Sequence, residues 1–302
     1  MTDKNIKARV ALLGAGTMGA GIAERLLDEG FTVDVWNRTP GPAARLAERG
    51  ARAYTTPSQA VARADVVVTM LPTGDALKEV MLQQSTLQAL RSGAVWAQMA
   101  TIGIEATETL RAEAARSRAD ISFVDAPVSG SREPARTGRL LVLASGPDGA
   151  RPVVDPVFAA LGRELWLGEA GSGSRLKLVL NTWLAFEVEA AAEVSAAASA
   201  LGVPSRALLD AVTGGPLASG VAMTKLAKIE AHDYSPDFSL EWALKDLDLA
   251  EVATGAEILP VASSIAERWR RLVAEGYGRL DISAAGLGLE VTSRGSGAGA
   301  AA

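Results

Sequence analysis

Val10-Ala11-Leu12-Leu13-Gly14-Ala15-Gly16-Thr17-Met18-Gly19-Ala20-Gly21-Ile22 is the stretch whose reading decides the fold. Its four leading aliphatic residues have the length and composition of a strand buried on both faces. The next six spell G-x-G-x-x-G, and a helical pattern runs on from Ile22. Alone the motif says little; between a strand and a helix it becomes informative. Gly14 permits the tight turn, Gly16 lets backbone approach a pyrophosphate, and Gly19 lets helix and strand pack closely. The helix start then offers unpaired N–H groups and a positive dipole end to phosphates. The bland alternative is a glycine-rich turn with no ligand.

Working outward, short aliphatic runs alternate with helical patterns through the first half. Strands are expected at 10–13, 32–36, 65–71, 94–99, 122–125, 140–144 and 164–167, with helices such as 22–29 and 105–117 between them. Alternation of this kind predicts a parallel, doubly wound α/β sheet. The character changes near Gly168. Residues 174–201 are rich in Ala, Leu and Glu with no proline. At ~1.5 Å per residue they form a helix of roughly 40 Å, long enough to join two domains. Further helices are expected at 205–212, 220–230, 240–254 and 258–275. The expected organisation is an α/β dinucleotide-binding domain over 1–168, an all-α domain over 169–293, and a Gly/Ala/Ser tail over 294–302 without fixed structure.

Composition removes several classes of chemistry. The 302 residues include no cysteine, which excludes disulfides, thiolate metal sites and cysteine nucleophiles. A single histidine, His232, excludes a histidine metal cluster, and no bound metal is expected. His232 lies in a polar turn, Ala231-His232-Asp233-Tyr234, and reads as a surface residue. The formal charge of −5 argues against nucleic-acid binding. No signal peptide or membrane span is visible, so a cytoplasmic protein without a membrane partner is expected. The tryptophans at 96, 166, 183, 242 and 269 read as core or interface fillers, and the acidic and basic residues of 267–271 as a solvated helix face.

Two further stretches suggest chemistry. After the second strand, where an acidic residue would bind an adenosine ribose, the chain has Asn37-Arg38-Thr39, and Asp34 lies earlier inside the strand. Arg38 can fork onto a 2′-phosphate, with Asn37 and Thr39 adding hydrogen bonds, which favours NADP(H) and leaves NAD(H) open. Arg38 as a solvated turn residue is the alternative. The other stretch is Gly171-Ser172-Gly173-Ser174-Arg175-Leu176-Lys177-Leu178-Val179-Leu180-Asn181. Lys177 and Asn181 share a helical face set among apolar residues. Desolvation there disfavours the ammonium, as a general acid requires. Taken alone, a lysine that snorkels to water is the commoner reading.

Four stretches shift that balance: Gly14 to Gly19, Asp125-Ala126-Pro127-Val128-Ser129-Gly130-Ser131, Gly171 to Asn181, and Lys245-Asp246-Leu247-Asp248-Leu249-Ala250. In order and spacing the chain resembles the β-hydroxyacid dehydrogenases, which include 3-hydroxyisobutyrate dehydrogenase and the glyoxylate/succinic semialdehyde reductases. The resemblance implies a Rossmann domain and a helical domain joined by the long helix, with the active site in the cleft. It implies Lys177 as catalytic acid/base and Asn181 as the residue orienting substrate or lysine. It implies substrate binding by Ser129, Gly130, Ser131 and Thr101. Cofactor contacts are implied for Gly14, Ala15, Gly16, Thr17, Met18 and Gly19, for Asn37, Arg38 and Thr39, for Met70, Leu71 and Pro72, and for Thr101 and Lys245, with Asp248 nearby. A small anionic substrate and a homodimer are expected.

The chain departs from the family pattern at Ser131, where a second glycine is usual, and at Ala100, where a serine is usual. The continuation Arg132-Glu133-Pro134-Ala135-Arg136-Thr137-Gly138-Arg139-Leu140 resembles the glyoxylate/succinic semialdehyde reductase branch, which implies reduction of a carboxylated aldehyde with NADPH. The alternatives are NAD-dependent oxidation of a 3-hydroxyisobutyrate-type acid, imine reduction, which the presence of Lys177 disfavours, and a non-catalytic cofactor-binding scaffold.

Overall fold

The computed structural model describes residues 7–289. The tail expected over 294–302 lies outside the described residues. The chain divides into two units, Met1–Val179 and Leu180–Ala302, and the division falls inside the long helix Ser172–Ala200.

In the first unit, six parallel strands form one sheet. They are β1 (Arg9–Leu13), β2 (Thr32–Trp36), β3 (Arg52–Ala53), β4 (Val66–Thr69), β5 (Val95–Gln98) and β6 (Ser122–Asp125), ordered β3-β2-β1-β4-β5-β6. Strand direction sorts the apolar residues onto two faces. Val10, Leu12, Val33, Val35, Val66 and Val68 pack with Ile22, Leu26, Val154 and Phe158 on one side. Ala11, Leu13, Val67 and Trp96 pack with Leu77, Met81 and Leu110 on the other. The near-continuous aliphatic runs of the sequence follow from this two-sided burial. The winding reverses at β1, between β2 and β4, so a crevice opens beyond their carboxyl ends.

The single expected sheet is in fact two. β7 (Val128–Ser129) pairs antiparallel with β8 (Leu140–Ala144), and β8 pairs parallel with β9 (Gly162–Trp166). An isolated antiparallel bridge, Asp125 to Ser145, connects the ends of β6 and β8. β3 and β7 have two residues each, too few to show a period, and neither was visible in the sequence. The first helix begins at Thr17 rather than near Ile22, because Gly19, Ala20 and Gly21 mask its periodicity.

The second unit is helical: the long helix from Leu180 onward, then Ser205–Val212, Gly220–Glu230, Leu240–Thr254 and Pro260–Ala274, followed by two 3-10 turns. Val188, Ala192, Leu244, Leu247, Ile265, Trp269 and Leu272 form its core. One expectation for this unit is corrected. The charged residues of 267–271 are not all on a solvated face: Arg268 forks onto the buried Glu189 of the long helix, beside the fully buried Trp269. Trp269 Nε1 donates to the same carboxylate at 2.8 Å. Trp96 is also core, whereas Trp183 and Trp242 are exposed. His232 sits exposed in a turn at positive φ.

Candidate functional site

The glycine loop is held by sterics at two positions and left open at the third. Gly14 has a φ of +102°, and a Cβ there would overlap the Met70 carbonyl oxygen. A Cβ at Gly19 would overlap the Gly14 carbonyl oxygen. These two glycines satisfy the fold itself. At Gly16 an added Cβ meets nothing within 4 Å. Gly16 also caps the first helix without any side-chain hydrogen bond, and the first turn holds no acidic residue. Ungated N–H groups beside open space fit the diphosphate of a dinucleotide.

Around the loop, the ends of β2 and β4 present the other candidates. Asp34 is buried inside β2 and is held by Arg9, whose Nε lies 2.5 Å and Nη2 2.9 Å from its carboxylate oxygens. No acidic side chain is therefore available at the end of β2. Arg38 is exposed and makes no hydrogen bond or ion pair among the described residues. Asn37 Oδ1 accepts the Ala15 N–H at 2.9 Å, and its Nδ2 donates to the Thr39 carbonyl at 2.9 Å and to Thr39 Oγ1 at 3.0 Å. Met70 follows β4 with its carbonyl against Gly14; Leu71 is buried and Pro72 exposed.

At the end of β5, Gln98 folds back onto its own chain. Its Oε1 accepts the Ala100 N–H at 3.0 Å, and its Nε2 donates to the Ala100 carbonyl at 2.6 Å. This fixes the turn that carries Thr101. The departure at Ala100 is thus at a position held through backbone rather than side chain.

Asp125 is the hub at the end of β6. It is fully buried, and its Oδ2 accepts the Ser174 N–H at 2.7 Å while Oδ1 accepts the Ser174 hydroxyl at 2.7 Å. Ser145 Oγ donates to the Asp125 carbonyl at 3.1 Å and itself accepts the Gly173 N–H at 2.9 Å. The first-turn N–H groups of the long helix are thereby satisfied from β6 and β8. Gly173 is required here, since a Cβ would overlap the Leu143 carbonyl oxygen. Thr107 Oγ1, 3.2 Å from Ser174 Oγ, adds a further tie. Burial pushes the Asp125 carboxyl above its usual range, and the serine donors only partly offset this. From this fixed point the chain runs four residues to Ser129 and Gly130, with Gly130 at a φ of +127° and packed on Leu140 and Pro134. Ser131 begins the short helix Arg132–Arg136. Lys177 follows Ser174 by one helical turn and is buried, at 8% exposure.

The candidates of the first unit thus gather beyond the carboxyl ends of its parallel strands. Those of the second unit meet at Asp246. Asn181 Nδ2 donates to Asp246 Oδ2 at 2.5 Å, and Lys245 Nζ lies 2.6 Å from Asp246 Oδ1. Asp246 is buried, so an ammonium and an amide share one desolvated carboxylate. Asp248 is not part of this group; it pairs at the surface with Arg270 at 2.6 Å. Sequence reasoning passed over Gln98, Asp125 and Asp246 as site-building residues. The available signal was a polar residue ending or interrupting an apolar run, as in Phe123-Val124-Asp125.

Comparison with known proteins follows the same division. Residues 9–169 match the model of the NAD binding domain of 6-phosphogluconate dehydrogenase. Residues 171–286 match that of the NAD-binding domain of NADP-dependent 3-hydroxyisobutyrate dehydrogenase. Glyoxylate/succinic semialdehyde reductase 1 of Arabidopsis thaliana is 32% identical over 91% of this chain and 96% of its own length. The cytokine-like nuclear factor N-PAC of Xenopus tropicalis is 33% identical over 94% of this chain, which spans only 53% of that longer protein. The structure of Mycobacterium tuberculosis 3-hydroxyisobutyrate dehydrogenase with L-serine superposes with a TM-score of 0.82 at 29% identity, covering 92% of this chain and 98% of that one.

Proposed function

The chain belongs to the β-hydroxyacid dehydrogenase family, and from that premise we propose that it is an NADP(H)-dependent oxidoreductase. The reaction interconverts a small carboxylated aldehyde or ketone and its hydroxy acid. The observation that carries the cofactor choice is at β2: Asp34 is consumed by Arg9, while Arg38 is exposed and unpaired among the described residues. A guanidinium in that position suits a 2′-phosphate, and the missing carboxylate removes the usual ribose partner of NAD.

When bound, the nicotinamide dinucleotide supplies the hydride. Gly14 to Gly19 would receive its diphosphate, Arg38 and Thr39 its adenosine end with Asn37 beside them, and Met70 to Pro72 and Thr101 would line the remainder, with Lys245 contributing charge. Ser129 Oγ, Gly130 N–H and Ser131 hold the substrate carboxylate. Lys177 gives its proton to the carbonyl oxygen in reduction and takes it back in oxidation, its cation stabilising the alkoxide as it forms. Asn181 orients the substrate or the lysine. The Arabidopsis relative favours glyoxylate or succinic semialdehyde as substrate. A homodimer is the proposed assembly: Trp183 and Val194 are exposed along one face of the long helix, and Leu201 is exposed just past its end.

Titration of the purified protein with NADPH and then NADH, followed by quenching of tryptophan emission, tests this reading. Tight NADPH binding with weaker NADH binding supports it, and NADPH oxidation is then measured with both aldehydes. The reverse preference overturns the NADP(H) assignment, and binding of neither cofactor sinks the enzyme reading.

A further inference from the structure

Both polar atoms of the Asn37 side chain are engaged inside the protein. Its Oδ1 accepts the Ala15 N–H, in the middle of the glycine loop, at 2.9 Å. Its Nδ2 is engaged as well, donating to the Thr39 carbonyl at 2.9 Å and to Thr39 Oγ1 at 3.0 Å. An amide has two N–H donors and no more, and a phosphate oxygen accepts hydrogen bonds. Both polar atoms of the Asn37 side chain are therefore turned toward the protein, to Ala15 and Thr39, rather than outward to a 2′-phosphate. Its neighbours differ. Arg38 keeps all five guanidinium N–H donors, being exposed and unpaired among the described residues. Thr39 Oγ1 accepts from Asn37, which leaves its own hydroxyl hydrogen to donate outward.

The bond to Ala15 has a second consequence. Gly14 and Gly16 flank Ala15, and glycines lose more backbone freedom on ordering than any other residue. Gly14 is already tied to β2 by its N–H to the Trp36 carbonyl at 2.9 Å. The Asn37 bond adds an anchor one residue further along, next to the open position at Gly16. A loop fixed before the ligand arrives does not pay that ordering cost on binding.

We propose that Asn37 is a latch for the phosphate loop rather than a reader of the 2′-phosphate, and that discrimination between NADPH and NADH falls on Arg38. This rests on the reading of the chain as an NADP(H)-binding protein. As a positioning residue, Asn37 acts through Ala15 on the diphosphate that both cofactors share. Its removal must weaken both equally.

The test is the dissociation constant of each cofactor, by tryptophan quenching, for wild type, Asn37→Ala, Asn37→Asp and Arg38→Ala, together with hydrogen exchange at the Ala15 amide in the cofactor-free protein. Asn37→Ala is expected to weaken NADPH and NADH by the same factor, roughly five- to tenfold for one net hydrogen bond. Faster Ala15 exchange accompanies it. Asn37→Asp keeps an acceptor for Ala15 and restores NADH binding, which also shows that the site folds. Arg38→Ala weakens NADPH alone, by roughly ten- to a hundredfold for charge-assisted bonds. A loss of NADPH binding alone in Asn37→Ala overturns the latch, as does an unchanged affinity for both. A wild type that binds neither cofactor sinks the functional reading itself, and the latch with it.

Discussion

Asp125 in the first unit and Asp281 in the second are both fully buried, and their surroundings set them in opposite directions. Asp281 faces the Lys225 ammonium at 2.8 Å and accepts the backbone N–H groups of Asp237, Phe238 and Ser283. Despite burial, which pulls the other way, the ammonium and the N–H donors hold its carboxyl below the usual range. Asp125 has hydroxyl and amide donors but no cation, and burial pushes its carboxyl up. Asp281 staples the last 3-10 turn to the loop before helix Leu240–Thr254, a task of stability. Asp125 holds the start of the helix that carries Lys177, at a cost in burial that only neutral donors offset. Residues that work against local stability tend to gather where a protein acts.

Breaking the staple is expected to have the largest effect on folding. Asp281→Ala leaves the buried Lys225 with only the longer contact to Asp237, at 3.8 Å, and the loss should be roughly 3–5 kcal/mol in urea unfolding. A loss below about 1 kcal/mol would mean that the pair contributes nothing net, as some ion pairs do. Asp125→Asn comes next. It keeps the shape but turns a donor toward the serines, and should cost roughly 1–3 kcal/mol. A loss equal to or above that of Asp281→Ala would erase the distinction between the two sites.

The smallest effect, and the sharpest, is in pH. For Asp281 the lowered carboxyl gives stability that is present above its ordinary range and is lost as pH falls through its folded value. Asp281→Asn should therefore flatten the acid limb of a stability profile. For Asp125 the sign reverses, because the folded state holds its proton more tightly than the unfolded chain. Stability declines as pH rises from the ordinary carboxylate value, about 3.9, to the raised one. Asp125→Asn should remove that decline. Parallel profiles for wild type and Asp125→Asn between pH 4 and 8 would contradict the assignment.

The same contrast explains what the sequence could tell. Strands over 32–36, 122–125 and 140–144 and helices over 205–212, 220–230 and 240–254 were legible, because their periods are carried by many residues at once. The two-residue strands β3 and β7 were not, since they depend on partners far along the chain. The glycine loop was legible because sterics demand glycine at Gly14 and Gly19. The roles of single polar residues were not. Nothing in Lys245-Asp246-Leu247-Asp248 separates the aspartate that meets Asn181 from the one that meets Arg270. Likewise Asn37 and Arg38 are neighbours in sequence, and only the bond to Ala15 tells the one that is spent from the one that is free.

The central claim is that Lys177 is the acid and base of a carbonyl reduction, and Lys177→Ala tests it most directly. NADPH oxidation is followed with glyoxylate and with succinic semialdehyde, and the NADPH dissociation constant is measured alongside. Loss of a positioned general acid should lower kcat by about two to four orders of magnitude while NADPH binding stays at the wild-type value. A variant that keeps the wild-type kcat would contradict the account.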